Sequence, residues 1–167
     1  MSLKKNLIAF LVIGIIGTLS HFVYEWSGRN YVVGLFFPVN ESVWEHLKLL
    51  FFPTLIYSAI EYIKLEEKPK NYISAIAFSY LCGSMSIIAI FYTVRGVLGF
   101  NVDFINLLTY FIGIIVMLSK KTKIINEEKF SSKAFFAISL SILAINLLLF
   151  ILWSYNPPIL GIFSIPK

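Results

Sequence analysis

Five long runs of apolar residues, separated by short stretches rich in charged residues, dominate the chain. They cover residues 7–26, 42–63, 72–94, 102–119 and 134–155. Each run has about 18–24 residues, and a helix rising 1.5 Å per residue needs about 20 to cross the hydrocarbon core of a bilayer. The pattern predicts an all-α, polytopic transmembrane helical bundle with five spans, built as a single domain over residues 1–167.

The composition agrees with an integral membrane protein. Apolar residues make up 58% of the chain and charged residues 14%, whereas a soluble domain is about half apolar and a quarter charged. The net charge is +5, but the lysines form no patch interleaved with aromatic residues, so no nucleic-acid partner is predicted. The single cysteine, Cys82, lies within an apolar run, which excludes a disulfide within the chain and favours a buried thiol.

The basic residues predict the orientation in the cell membrane. Ten of the 14 lie at the amino terminus or in alternate loops: Lys4, Lys5, Lys64, Lys68, Lys70, Lys120, Lys121, Lys123, Lys129 and Lys133. The other four lie on the opposite side: Arg29, Lys48, Arg95 and Lys167. Because cytoplasmic loops carry an excess of lysine and arginine, the amino terminus is predicted to be cytoplasmic. Residues 156–167 are too short to span and are predicted to form an interfacial or re-entrant tail on the outer side.

Ionisable and aromatic residues concentrate at the predicted outer ends of the first two runs. They occupy residues 21–28 (HFVYEWSG) and 40–48 (NESVWEHLK). His21 and Glu25 are four residues apart and share one helix face, and Glu41, Glu45 and Lys48 form a second stripe. Because ionisable groups near hydrocarbon are costly, this cluster predicts a functional site.

The types of side chain in the cluster indicate a metal centre. The predicted ligands are His21, Glu25, Glu45 and His46, since both histidines are expected at a similar depth. Imidazole and carboxylate ligands together suit Zn²⁺, or a harder divalent metal such as Mn²⁺ or Fe²⁺. No HExxH or similar ligand spacing is present. A haem between the two histidines is an alternative that no other feature of the sequence supports.

Further polar and aromatic residues complete the predicted site. The predicted ligand-binding residues are Tyr24, Asn40, Glu41, Trp44, Lys48, Asp103 and Asn106. If the site is catalytic, Glu25 and Glu45 are the expected acid–base groups. Arg95 would then hold an anionic group such as a phosphate or carboxylate.

Structural roles are the alternative for several of these residues. Ser42 and Glu45 match a capping box, in which the two side chains satisfy the first backbone groups of a helix. Lys48 would then pair with Glu45 or extend towards water. Arg95 and Asp103 would form an interfacial ion pair that fixes the hairpin between the third and fourth runs.

Two of these stretches also resemble a known family. Residues 21–28 and residues 38–48 (PVNESVWEHLK), together with the late Asn156-Pro157-Pro158, resemble an uncharacterised family of small bacterial integral membrane proteins. The resemblance covers the whole chain and implies a membrane protein of five or six helices in which these residues act together. It implies no reaction.

Three functions remain open from the sequence. The first is an outward-facing His/Glu/Arg pocket that binds a metal or small ligand, as in an outer-leaflet, metal-assisted lipid hydrolase or transferase. The second is a small transporter or substrate-binding membrane subunit, which predicts polar groups through the whole membrane depth. The third is a non-catalytic membrane partner, immunity or sensor protein, which predicts caps and salt bridges without a cavity. Expected partners are the bilayer, a lipid or small-molecule ligand, and a second copy or another membrane protein.

Overall fold

The computed structural model describes residues 3–166, and every regular element within them is helical. The helices are α1 (Leu3–Trp26), α2 (Tyr31–Gly34), α3 (Val43–Lys64), α4 (Tyr72–Leu98), α5 (Asp103–Ile125) and α6 (Lys133–Trp153), with short 3-10 turns at Glu128–Ser131 and Gly161–Phe163. The prediction of an all-helical protein is confirmed.

Local chemistry accounts for several helix ends. Ser42 precedes α3, and its hydroxyl oxygen accepts a hydrogen bond from the backbone N–H of Glu45 at 3.3 Å. Ser132 caps α6 in the same way through the N–H of Phe135, also at 3.3 Å. Gly99 ends α4 with φ at 79°, a left-handed conformation that favours glycine.

Within residues 3–166, four helices, and not the predicted five, are long and apolar enough to cross a membrane: α1, α4, α5 and α6. The prediction of a fifth span over residues 42–63 is therefore wrong. Helix α3 has 22 residues, but Glu45 and Lys48 near its start and Glu61 and Lys64 near its end shorten its apolar stretch. Half of its residues are buried in the bundle, so much of its surface meets protein and does not need to be apolar enough for lipid.

Helices α4 and α5 form the most extensive helix pair. Their backbones approach closely where Gly83 faces Gly113, since a Cβ atom on Gly83 would lie 2.9 Å from the Gly113 carbonyl oxygen. Ala75 and Ser79, which precede Gly83 at four-residue spacing, are also buried. Small residues at such spacing let helices pack backbone to backbone, which supports association where lipid surrounds the bundle.

Tyr110 of α5 joins α1 and α3 inside the bundle. Its hydroxyl group lies 3.0 Å from the carbonyl oxygen of Ile13 and 3.2 Å from that of Leu49. Gly17 makes this approach feasible, because a Cβ atom there would lie 2.6 Å from the Leu49 oxygen. The position of α1 against α3 therefore depends on a glycine.

The segment after α6 packs on α3. The ring centroid of Phe163 lies 5.2 Å from that of Trp44 and 5.4 Å from that of Trp153. The interfacial or re-entrant position expected for residues 156–167 stays a prediction, and residue 167 lies outside the described residues.

Gly17→Ala tests the close approach of α1 and α3. We expect the free energy of unfolding to fall by about 1–3 kcal/mol, since an extra methyl group in a packed interior forces the backbone apart. Unfolding in detergent micelles, followed by circular dichroism, gives the measurement. Gly96→Ala in α4 is the matched control, because a Cβ atom at Gly96 meets no heavy atom within 4 Å. Equal effects of the two substitutions would contradict this account of the packing.

Candidate metal centre

Three side chains with metal-binding groups converge at the end of the bundle where α1 ends and α3 begins, here called the upper end. His21 lies in α1, His46 in the first turn of α3, and Glu41 in the loop just before α3. The Nε2 atoms of the two histidines are 3.2 Å apart, and each lies 3.3 Å from Glu41 Oε2. We refer to these three residues as the triad.

The spacing within the triad matches a metal coordination sphere. Its three ligand atoms form a nearly equilateral triangle with sides of 3.2–3.3 Å. In a tetrahedral zinc site, bonds of about 2.0–2.1 Å place the ligand atoms about 3.3–3.4 Å from one another. The triangle therefore has the size of one face of a zinc tetrahedron.

A backbone contact orients the His46 ring. Its Nδ1 atom lies 2.8 Å from the carbonyl oxygen of Ser42, and a carbonyl can only accept, so Nδ1 carries the proton. In the neutral ring, Nε2 is then unprotonated and directed into the triad. Metal-binding histidines usually donate their second ring N–H to such an acceptor, which fixes the tautomer and the ring orientation.

The electrostatics keep Glu41 ionised. The hydrogen bond that the protonated His46 ring donates to Glu41 is the main cause that lowers the pKa of the Glu41 carboxyl group to about 2, and the charges of the two protonated histidines add to it. The side chains of His21, His46 and Glu41 are 29%, 31% and 63% exposed, respectively. The triad is therefore a partly exposed site whose carboxylate is ionised near neutral pH.

Hydrogen bonds on both sides hold the loop that carries Glu41. The side-chain oxygen of Asn40 accepts from the backbone N–H of Ser42 at 2.9 Å. The carboxylate of Glu45 accepts from the backbone N–H of Val39, also at 2.9 Å. Glu41 therefore projects from a loop whose two flanks are tied to α3.

Lys48 connects this loop to the rest of the upper end. Its ammonium group donates to Glu45 Oε2 at 2.8 Å, to Ser154 Oγ at 2.7 Å and to the Gly34 carbonyl oxygen at 3.0 Å. The Lys48 side chain is fully buried. All three of its donors are used within the protein, and the expected pairing of Lys48 with Glu45 is present. The expected capping box is only half formed, because the Ser42 N–H donates to Asn40 and not to Glu45.

Glu25 and Glu45, expected as metal ligands and acid–base groups, lie outside the triad. Glu25 forms an exposed ion pair with Arg29, with 3.0 Å between Arg29 Nε and Glu25 Oε1. Glu45 is buried and directs Oε2 to Lys48. Neither joins the group of described residues whose ligand atoms lie within 4.8 Å of one another.

The aromatic residues expected to bind a ligand take part in packing. Trp44 is buried with its ring centroid 4.8 Å from that of Phe150. Its Nε1 atom is buried without a hydrogen-bond partner among the described residues. Tyr24 lies against Gly34, where a Cβ atom would meet the Tyr24 ring at 2.9 Å.

Arg95, Asp103 and Asn106 belong to a separate region, the hairpin between α4 and α5. Arg95 and Asn106 line a small cavity of about 10 Å³ there. Asn106 donates to the side chain of Asn101 at 2.9 Å, and Asn101 approaches Asp103 at 3.4 Å. The expected Arg95–Asp103 ion pair is not among the ion pairs of residues 3–166.

Two cavities are outlined in the described part of the chain, and both lie apart from the triad. Besides the small hairpin cavity, an apolar groove of about 440 Å³ lies between α1 and α5. Neither is lined by His21, Glu41 or His46. The outward-facing pocket expected from the sequence stays a prediction, and the side chains of the triad are partly exposed.

The sequence analysis missed a second polar cluster at the opposite end of the bundle. Lys121 of α5 forms an ion pair with Glu61 of α3, and their side chains are 3% and 10% exposed. Tyr72 donates its hydroxyl proton to Glu61 at 2.5 Å. Lys121 was assigned to a loop because it lies in a run of lysines, but it falls four residues after the buried Met117 on one face of α5. The four-residue spacing from Met117 could have identified Lys121 as a buried residue of α5.

Lys48→Met tests the network at the upper end. We expect a loss of about 3–5 kcal/mol in the free energy of unfolding, because the substitution leaves Glu45 buried without its charge partner. Arg29→Met is the matched control, since it breaks an exposed pair worth at most about 1 kcal/mol. Adding Glu45→Gln should recover part of the loss. Chemical denaturation in micelles checks all three, and a negligible effect of Lys48→Met would contradict this account.

The comparisons with known proteins give one result. Searches among curated proteins and among solved structures found no match. A model described as "Family of unknown function (DUF6512)" matches residues 2–165. The resemblance to an uncharacterised family is thus confirmed in its extent over nearly the whole chain. The chain belongs to DUF6512, a family of unknown function.

Proposed function

We propose that this integral membrane protein binds a divalent transition metal, with Zn²⁺ as the best fit, through His21, Glu41 and His46. The observation that carries the proposal is the triangle of two imidazole nitrogens and one carboxylate oxygen with sides of 3.2–3.3 Å. Two histidines and a carboxylate also form the ligand set of well-known hydrolytic zinc sites.

A cation resolves an electrostatic conflict within the triad. The Nε2 atom of His46 presents a lone pair, because the Nδ1 atom is committed to Ser42. Glu41 adds an ionised carboxylate. If His21 also presents a lone pair, three electron-rich atoms face one another at van der Waals distance. A proton on either histidine relieves this repulsion in part, and a divalent metal relieves it for all three atoms.

The same geometry selects among metal groups. A haem iron between two axial histidines would separate their nitrogens by about 4 Å, twice a typical metal–nitrogen bond of about 2.0 Å. The observed separation of 3.2 Å between the Nε2 atoms is shorter. It favours adjacent ligands on one ion, and the mixed nitrogen and oxygen set suits Zn²⁺, Mn²⁺ or Fe²⁺.

Three protein ligands support a reactive centre better than a purely structural one. Structural zinc sites are closed by four protein ligands, whereas catalytic sites keep a position for water or substrate. A metal held by these three residues would supply an activated water molecule, with a pKa of about 7, and would polarise carbonyl or phosphoryl oxygens. Partial exposure of both histidines leaves room for such a position.

The proposed location is the outer face of the membrane. Ten of the 14 basic residues lie in loops or terminal helix turns at the opposite end, and nine of them remain when the buried Lys121 is left out, which supports a cytoplasmic assignment for that end. His21 precedes the end of α1 at Trp26 by five residues, about 7–8 Å along the helix. The metal would then lie close to the lipid headgroups, so metal-assisted hydrolysis or group transfer at the outer leaflet is the function supported best.

One observation favours the transport alternative. The buried Glu61–Lys121–Tyr72 cluster places ionisable groups at the opposite end of the same bundle. Ionisable groups inside membrane proteins often mark ion or proton pathways. Between the two ends, however, α3 packs through apolar residues such as Leu50 and Phe51, which are buried in the core.

Substitution of the triad tests the metal site. We expect His21→Ala, Glu41→Gln and His46→Ala each to weaken Zn²⁺ binding by more than about 100-fold, because even supporting residues around a metal contribute 10–100-fold. Equilibrium dialysis of the detergent-purified protein, after removal of metal with chelator, measures the affinity. The absorption of bound Co²⁺ reports tetrahedral geometry.

Two control variants make the result specific. Glu25→Gln and Glu61→Gln should leave Zn²⁺ affinity unchanged, since Glu25 pairs with Arg29 and Glu61 pairs with Lys121. Loss in one histidine variant with full retention in the other would exclude a shared site. A large loss in Glu61→Gln would support the transport alternative.

The affinity should depend on pH through the histidines alone. Burial lowers the pKa of the His46 imidazole, but the contacts with Glu41 and the Ser42 carbonyl outweigh it and raise this pKa above its ordinary value. Lowering the pH from about 7 to 5 should therefore weaken Zn²⁺ binding by at least about tenfold, as protons compete for the imidazoles. Glu41 does not contribute in this range, because its pKa is about 2 and it stays ionised. Zn²⁺ titrations across this range check the slope, and a pH-independent affinity would contradict ligation by histidine.

A further inference from the structure

An apolar groove follows the outside of α1 below the triad. It lies between α1 and α5 and has a volume of about 440 Å³. Its lining residues are Phe10, Leu11, Gly14, Ile15, Thr18, Leu19 and Phe111. Both helices are long and apolar enough to cross a membrane, so the groove lies at the depth of the hydrocarbon.

The groove offers no polar group to an occupant. The only polar side chain in its lining, Thr18, donates its hydroxyl proton to the Gly14 carbonyl oxygen at 2.8 Å. Leu11, Ile15 and Leu19 are half exposed or more along its rim. An alkyl chain matches this lining, whereas any group that needs a hydrogen bond would lose it there.

The groove is aligned with the triad. Gly14 in the lining and His21 in the triad are seven residues apart on α1, which places them on one stripe of the helix. His21 follows Thr18 by three residues, a rise of about 4.5 Å. A chain lying in the groove therefore has its upper end close to His21.

We propose that the groove holds an acyl chain of a phospholipid and presents the phosphate-containing headgroup to the metal of the triad. The headgroup part of this inference rests on the proposed metal site, whereas the groove stands on its own geometry. Phosphoryl and ester oxygens are the groups that a three-ligand divalent metal polarises. The substrate class of the site is then a membrane phospholipid.

The side chains around the groove favour lipid over a second protein helix. Helices that associate within membranes meet through small residues that let their backbones approach. On α1, Gly14 is already covered by the Phe111 ring, which would lie 2.9 Å from a Cβ atom there. The exposed rim is formed by the long side chains of Leu11, Ile15 and Leu19, which keep another backbone at a distance.

Photocrosslinking tests the occupant. A benzoylphenylalanine is placed at Ile15 in the groove or, as the matched control, at Ile145 on α6; the two side chains are 59% and 53% exposed. The probe is alkyne-tagged phosphatidylglycerol titrated into protein in detergent micelles. We expect saturable labelling at position 15 and non-saturating labelling at position 145. Thr18→Trp should abolish the saturable component by filling the groove, while Ile145→Trp should leave it intact.

The effect of Zn²⁺ on lipid labelling tests whether the headgroup contacts the metal. Zn²⁺ should lower the half-saturating lipid concentration by about tenfold, a typical coupling between two bound ligands. The effect should disappear in the His21→Ala/His46→Ala variant and with tagged diacylglycerol, which lacks phosphate. The saturable labelling itself should persist in both cases.

The outcomes separate the two proposals. Equal, non-saturating labelling at positions 15 and 145 would overturn the groove as a lipid site, whatever the result of Zn²⁺ dialysis. Covalent dimers formed through position 15 would overturn it in favour of a second copy of the chain. Saturable labelling without Zn²⁺ binding would overturn the headgroup assignment together with the proposed function, and would leave the acyl-chain site standing.

Discussion

The burial of the Lys48 ammonium group is the constraint on which the upper end of the bundle depends. A buried charge costs several kcal/mol unless it is paired and hydrogen-bonded. Lys48 meets this requirement only where Glu45, Ser154 and the Gly34 carbonyl come together, so α2, α3 and the end of α6 must assemble jointly. The Glu45 carboxylate in turn accepts a hydrogen bond from the backbone N–H of Val39. The loop that carries Glu41 therefore takes its position from a buried ion pair.

Residues 40–48 contribute both to the triad and to the buried ion pair. Glu45 and Lys48 face inward and hold the structure, whereas Glu41 and His46 face the histidine of α1 and remain partly exposed. Neighbouring residues on a helix point about 100° apart, so Glu45 and His46 serve different sides of α3. The proposed metal centre is thus a surface feature built on a rigid base. The apolar groove along α1, proposed as the site of an acyl chain, lies below it.

Patterns of local origin could be predicted from the sequence, whereas features set by distant contacts could not. The apolar runs predicted the long helices. His21 and His46 were expected at a similar depth in the membrane, which predicted that the two side chains would lie close together. The sequence predicts Glu41 as a ligand-binding residue but not as a metal ligand. Its position depends on a loop that is fixed by two contacts, from Val39 to Glu45 and from Lys48 to Gly34, and the sequence pattern does not show these contacts. The fifth span was predicted from length, but burial within the bundle lets α3 carry charges at both ends.

X-ray absorption spectroscopy at the zinc edge tests the central claim most directly. The protein would be purified in detergent, freed of metal and loaded with one equivalent of Zn²⁺. The account predicts a low coordination number with nitrogen and oxygen ligands at about 2.0–2.1 Å and the multiple-scattering signature of two imidazole rings, both lost in the His21→Ala/His46→Ala variant. A spectrum of hydrated zinc without imidazole scattering, unchanged by that double substitution, would contradict it.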